Sequence, residues 1–175
     1  MAIIDEIIVA LKGITVARYH KSERGFQTEF YKILSNQLNG KGIFPEHTIL
    51  EAEVQKRNLE HYGITQRPDL LIHIPIEMGI TENVNENNFV NLAFKLLGNE
   101  RASVEDYGKL EQMFILLNYE LGVYINIGSY PEVFLSSYDG EYKDRMHEFS
   151  ILLEDGNIKI KHAFFKNEDL IINEV

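Results

Sequence analysis

An acid and a lysine open and close the most informative stretch of this sequence. Asp69 follows Pro68 at the start of the apolar segment LLIHIP, and Lys95 lies near the end of a second apolar segment, NFVNLAFKLL. A carboxylate can hold a hard divalent cation that activates water, and a lysine can orient or deprotonate that water. If the two segments are neighbouring strands, they would bring together the groups that hydrolysis of a phosphodiester bond requires.

One position in this arrangement lacks the expected residue. Residues two apart in a strand project from the same face, so an acid at position 93 would join Asp69 and Lys95. The carbonyl of Phe94 could then reach the same cation. The sequence has Ala93 at this position. Alanine supplies no ligand, so we expect weak metal affinity and very low turnover.

The pattern of apolar residues predicts helices and strands that could position these groups. Three strands in a meander, then a crossover helix and a fourth strand, indicate an α/β fold with at least one parallel pair. The predicted helices cover residues 2–12, 22–38 with Ser22 as N-cap, and Ser103 to about residue 120; the strands cover 47–57, 69–74, 89–96 and 122–128, with a loop at 77–88. Residues 131–142 suggest a further short strand and turn, and 146–165 a hairpin turning at Asp155-Gly156.

Pro68-Asp69 followed by Ala93-Phe94-Lys95 resembles the signature of the PD-(D/E)XK nuclease superfamily, with Ala93 in place of the D/E residue. The resemblance implies a restriction-endonuclease-like core, a central mixed sheet (helix, three-strand meander, helix, strand) flanked by helices, with extra C-terminal strands. It would be a single domain with a helical extension at 1–21, the core at 22–128 and a β-rich extension at 129–175.

The same resemblance assigns roles to individual residues. Asp69 would bind magnesium, for which manganese could substitute, and the Phe94 carbonyl would be a further ligand. Lys95 would be the catalytic lysine, and Glu29 an auxiliary acid of the metal site. The implied function is a metal-dependent nuclease, expected to be a DNA endonuclease of restriction or defence type. The alternatives are a catalytically dead nucleic-acid-binding or assembly subunit, and a protein-interaction domain.

Several interpretations of single residues stay open at this point. Ala93 is either an inactivating substitution in an enzyme whose natural residue is an acid, which we favour, or the mark of a naturally degenerate member. Glu51 or Glu53 could instead supply a relocated acid. His73 could contact substrate, although a hydrogen-bonded sheet histidine is favoured. The spacing of His20 and His47 is not typical of metal ligands.

Composition limits the class of protein and its partners. The chain has no cysteine, which excludes disulfides, zinc–thiolate sites and thiol catalysis. We expect no membrane span and no signal peptide, and therefore a cytoplasmic protein. The net charge of −10 argues against non-specific coating of nucleic acid and leaves a homodimer or a basic protein partner open.

Residues 12–24 are an exception to this acidic character. They carry Lys12, Arg18, Lys21 and Arg24 against the single acid Glu23. Either they form a solvated loop between two helices, which is favoured, or they form a phosphate-contacting patch.

Overall fold

A computed structural model describes residues 2–52, 68–75 and 87–175. These residues build one seven-stranded sheet whose strands lie side by side in chain order. The strands are β1 Ile49–Ala52, β2 Leu70–His73, β3 Asn88–Leu96, β4 Leu121–Ile127, β5 Met146–Glu154, β6 Asn157–Lys166 and β7 Asp169–Glu174. The helices are α1 Ala2–Lys12, α2 Glu23–Leu38 and α3 Glu100–Leu117. The pairs β3–β4 and β4–β5 are parallel and the others antiparallel, so the predicted α/β class with a mixed sheet is confirmed.

The helices cover the two faces of the sheet. Helices α1 and α2 contribute to one apolar cluster and α3 to the other. Alternation along β3 separates the faces: Leu92 and Phe94 belong to the first cluster, whereas Ala93 belongs to the cluster of α3. From Asn91 onward, the side chains of β3 at odd-numbered positions therefore face α3, as the hydrogen bond from the Asn91 side chain to the Leu110 carbonyl also shows, and this puts Ala93 and Lys95 on that side.

The sequence predicts the N-cap of α2 correctly but not that of α3. The side chain of Ser22 accepts a hydrogen bond from the Gly25 N–H at 3.1 Å, as expected of the N-cap of α2. The expected start of α3 at Ser103 is wrong, because Asn99 is the N-cap and accepts from the Ala102 N–H at 3.0 Å. Ser103 is buried instead, and its hydroxyl oxygen is 3.0 Å from both the Asn99 carbonyl and the Tyr124 hydroxyl, within hydrogen-bond distance of each.

The connection from β4 to β5 also differs from expectation. The predicted short strand in 131–142 is wrong, since this stretch contains a single 3₁₀ turn at Leu135–Ser137. The Glu148 carboxylate accepts the Phe134 and Leu135 N–H groups at 2.9 and 2.7 Å, which stabilises a turn instead of a strand ladder. The predicted hairpin is confirmed, with Asp155 and Gly156 at φ of 51° and 79° between β5 and β6.

Parts of two predicted segments lie outside the described residues. Residues 53–67 and 76–86 are not described, and they contain residues 53–57 of the predicted strand, with Glu53, and residues 77–86 of the expected loop. In the portion of the chain that the structure describes, no helix is long and apolar enough to cross a membrane.

Candidate functional site

A small cavity of about 110 Å³ lies where β2 and β3 meet the first turn of α2 and one face of α3. Four of its lining residues are ones that we expected from the sequence to lie close together: Asp69, Ala93, Phe94 and Lys95. Other residues complete the lining: Glu23, Pro68, Asp106, Lys109 and Leu110. The cavity therefore holds three carboxylates and two lysines around an alanine.

Strand pairing explains why Asp69 reaches the backbone of β3. Leu70 is opposite Leu92, and the Asp69 N–H donates to the Leu92 carbonyl at 3.1 Å. The next N–H of β3 on this side, that of Phe94, donates to the Asp69 side chain at 2.7 Å. Since an extended residue turns its N–H and C=O toward the same neighbour, the Phe94 carbonyl faces the same edge.

Glu23 takes the position that we expected of Glu29. It accepts a hydrogen bond from the Leu96 N–H at 2.9 Å and lines the cavity. Glu29 does not line the cavity and forms an ion pair with Lys32 at 3.1 Å. Glu23 lies three residues before Phe26 and seven before Phe30, so it continues the buried stripe of α2, whereas Glu29 borders it. This spacing is the signal by which the sequence could have identified Glu23.

Lys95 is half-buried and lines the cavity from the side of β3 that faces α3. Among the described residues, it forms no hydrogen bond or ion pair within the usual distances. Lys109, the other lysine of the cavity, is paired with Asp106. An ammonium group without a carboxylate partner is available to a bound anion.

The electrostatics of the cavity act most strongly on Asp69. Burial raises the pKa of its carboxyl to about 6, against the hydrogen bond from the Phe94 N–H, which favours the charged form. The nearby carboxylates of Glu23 and Asp106 raise this pKa further, and Lys109 lowers it. Asp69 is therefore charged at neutral pH in surroundings that disfavour its charge.

Asp106 is an acid that sequence reasoning did not place in the site. It is 4% exposed, lies on α3, lines the same cavity as Ala93, and accepts a hydrogen bond from Lys109 one turn later in the helix. A buried aspartate that borders an apolar helix face is a weak sequence signal. The register of α3 against β3, which brings Asp106 to the cavity, is set by tertiary packing.

The other acids and histidines named from the sequence lie elsewhere. The Glu51 carboxylate is 2.9 Å from the His73 ring, so each has a partner outside the cavity. His20 is hydrogen-bonded to the Ile14 carbonyl at 2.6 Å, and its ring packs edge-on against Phe26. His47 is exposed.

The present side chains do not complete a metal site. Asp69 and Glu23 already accept backbone N–H groups, Asp106 is paired with Lys109, and position 93 offers only a methyl group. Across residues 2–52, 68–75 and 87–175, no group of three or more His, Cys, Asp or Glu is arranged to hold a metal ion. A hard cation needs several oxygen ligands, and position 93 supplies none.

Comparison of the chain with protein-family models, with curated proteins and with solved structures finds no match.

Proposed function

We propose that this chain has the site of a metal-dependent phosphodiesterase of the PD-(D/E)XK type, without the acid at position 93. The observation that carries the proposal is that Asp69, Ala93 and Lys95 line one cavity where β2 and β3 meet α2 and α3. Asp69 lies immediately before β2, and Lys95 lies on β3, two residues after the position where the motif has an acid. We expect the substrate to be nucleic acid, most simply DNA.

The remaining groups suit the handling of a phosphate. Lys95 has no acidic partner among the described residues and can contact a phosphate oxygen or orient the attacking water. Asp69 is fixed by the Phe94 N–H and directs a carboxylate into the cavity. A divalent cation, when bound, would neutralise phosphate oxygens and activate water. With alanine at position 93, we expect binding of nucleic acid with little or no cleavage.

Restoring the acid tests the proposal. In Ala93→Asp, the new carboxylate adds to the repulsion among Asp69, Glu23 and Asp106, so we expect a lower Tm without metal. Magnesium should relieve this repulsion and raise the Tm of Ala93→Asp more than that of the wild type. Cleavage of a labelled DNA duplex with magnesium or manganese should rise about 10²-fold or more.

Matched variants separate the charge from the change in shape. Ala93→Asn has nearly the same volume as Ala93→Asp and should show neither the magnesium shift nor cleavage. Adding Lys95→Ala to Ala93→Asp should abolish cleavage. Adding Lys166→Ala, which removes an exposed lysine far from the motif in the chain, should not. If Ala93→Asp gains neither stabilisation by magnesium nor cleavage of DNA or RNA, the nuclease proposal fails.

A non-catalytic nucleic-acid-binding subunit is the second candidate. It is favoured by Ala93 and by the internal partners that the three carboxylates of the cavity already have. This candidate predicts that the wild type binds nucleic acid and that the Ala93→Asp variant does not cleave it.

A further inference from the structure

The described cations of this acidic protein differ in whether they form ion pairs and in how exposed they are. Some are neutralised by carboxylates in ion pairs: Lys32, Lys41, Arg101, Lys109 and Lys159. Lys12, Arg18, Lys21 and Arg24 form no ion pair with any described residue and are all exposed. With a net charge of −10, the chain has more than enough acids to pair them. Lys95, Lys143, Arg145 and Lys161 also form no ion pair but are half-buried, and Lys166 is the one further exposed cation without such a pair among the described residues. Four of the five exposed, unpaired cations of the described chain therefore lie between residues 12 and 24, which indicates a surface that suits an anion.

One residue of the segment 12–24, Glu23, is also part of the cavity lining. Glu23 lines the cavity and accepts the Leu96 N–H, and it lies between Lys21 and Arg24 in the chain. Lys21 is two residues before it and Arg24 one residue after it. Phosphates along one strand of a duplex advance roughly 3.4 Å per nucleotide along the axis. A strand with one phosphate at the cavity would thus bring neighbouring phosphates near both cations.

The backbone of this stretch is already held in place. Ser22 caps α2 through the Gly25 N–H, and His20 is tied to the Ile14 carbonyl at 2.6 Å. Arg18 donates to the Tyr19 hydroxyl at 2.9 Å and lies over the same ring. Lys21 and Arg24 thus project from an ordered segment, so only their side chains would have to be ordered on binding.

We propose that Lys21 and Arg24, on either side of Glu23, contact the sugar–phosphate backbone of a nucleic acid whose scissile phosphate lies at the cavity. This inference rests on the proposed function, because it names how the substrate of that site is held. Such contacts position the strand and carry no sequence preference. Lys12 and Arg18 are the other exposed, unpaired cations of residues 12–24.

Binding without turnover gives the direct test. The wild-type chain is titrated against a fluorescently labelled DNA duplex, with an RNA duplex in parallel, in EDTA at several salt concentrations. Replacing both Lys21 and Arg24 by alanine should weaken binding about 10-fold or more at low salt and reduce the salt slope by about 2. Lys32→Ala with Lys41→Ala removes the same charge from ion-paired sites and should weaken binding far less.

The outcomes separate this inference from the proposed function. If Ala93→Asp cleaves DNA but the Lys21/Arg24 double variant binds as tightly as the wild type, the inference is overturned and the nuclease proposal stands. If the double variant loses binding but Ala93→Asp never cleaves, the backbone contacts of Lys21 and Arg24 stand, and the part of the inference that places a scissile phosphate at the cavity is overturned. Equal losses in the two double variants, or binding to anionic lipid vesicles but to neither duplex, would overturn it. Lys21→Gln with Arg24→Gln replaces the alanine pair if the latter lowers the Tm by more than about 3 °C.

Discussion

Asp69 is charged at a cost to stability. The pKa of its carboxyl is about 6 in the folded chain, against 3.8 in the unfolded chain. An acid whose pKa is higher in the folded state is more stable when protonated, so folding loses stability as the pH rises from about 4 to 6. The loss at neutral pH is about 3 kcal/mol if the whole shift is realised. A costly charge in a cavity is typical of a residue retained for function.

Asp69→Asn should therefore stabilise the protein at pH 7.5. The amide oxygen can still accept the Phe94 N–H, and the repulsion from Glu23 and Asp106 disappears. We expect a gain of about 1–3 kcal/mol in the free energy of unfolding at pH 7.5 and little change near pH 4. Urea denaturation at both pH values measures this gain.

The exposed Asp139 provides the matched control. Asp139→Asn should leave the free energy of unfolding within about 0.5 kcal/mol at both pH values. If Asp69→Asn instead loses stability, and by as much at pH 7.5 as at pH 4, the role of Asp69 is only to accept the Phe94 N–H.

How well the sequence identifies a residue of the cavity depends on whether the pattern that places it lies within one strand or helix. Period-two alternation put Ala93 and Lys95 on one side of a strand, and the structure has that arrangement. The family resemblance assigns Glu29 as the auxiliary acid, and the sequence does not show that the start of α2, with Glu23, is the end that lies over β3. Asp106 reaches the cavity only through the packing of α3, and no local pattern contains that information.

At the scale of elements, Glu148 joins three parts of the fold. It is fully buried on β5 and accepts hydrogen bonds from the Tyr107 hydroxyl of α3 and from the N–H groups of Phe134 and Leu135. Glu148→Ala would leave these three donors buried without a partner. We expect a loss of about 3–5 kcal/mol in the free energy of unfolding, measured by urea denaturation.

Glu132 lies on the same connection and is exposed, so Glu132→Ala is the comparison. It should change the free energy of unfolding by about 0.5 kcal/mol or less. If Glu148→Ala is no more destabilising than Glu132→Ala, the carboxylate does not hold the connection.

The elements that sequence patterns predicted best are those whose signals are local. Helix α2 carries its own cap, and the β5–β6 hairpin carries Asp155-Gly156, so both could be predicted. The start of α3 was misplaced because Ser103 and Asn99 are both plausible caps, and the burial of Ser103 against Tyr124 decides between them. The turn at Leu135–Ser137 depends on Glu148, a residue from the following strand.

At the scale of the whole molecule, buried groups with opposite pH responses occupy the two faces of the sheet. The Nδ1 atom of His147 is 2.8 Å from the Nε2 atom of His162. Burial lowers the pKa values of the two histidines to about 3 and 4. They stay neutral in the folded chain while the unfolded chain takes up protons, so stability falls as the pH drops from about 6.5 to 4. Asp69 and Glu148, with pKa values raised to about 6 and 7, act in the opposite sense over the same range.

We expect these contributions to offset each other, so the wild-type free energy of unfolding should change little between pH 7.5 and pH 5. His162→Phe keeps the stacking on Phe149, whose ring is 4.4 Å away, and removes one of the two proton-excluding groups. The raised pKa values of the two carboxyls then outweigh the lowered pKa of the remaining histidine. The free energy of unfolding of this variant should therefore rise relative to that of the wild type as the pH falls, by about 1 kcal/mol or more.

His47→Asn is the control. It removes an exposed histidine at φ 69°, a conformation that asparagine tolerates, and its stability should follow that of the wild type with pH. Urea denaturation of all three proteins at pH 5, 6 and 7.5 measures the slopes; parallel curves for His162→Phe and the wild type would mean that the buried pair does not govern the acid response.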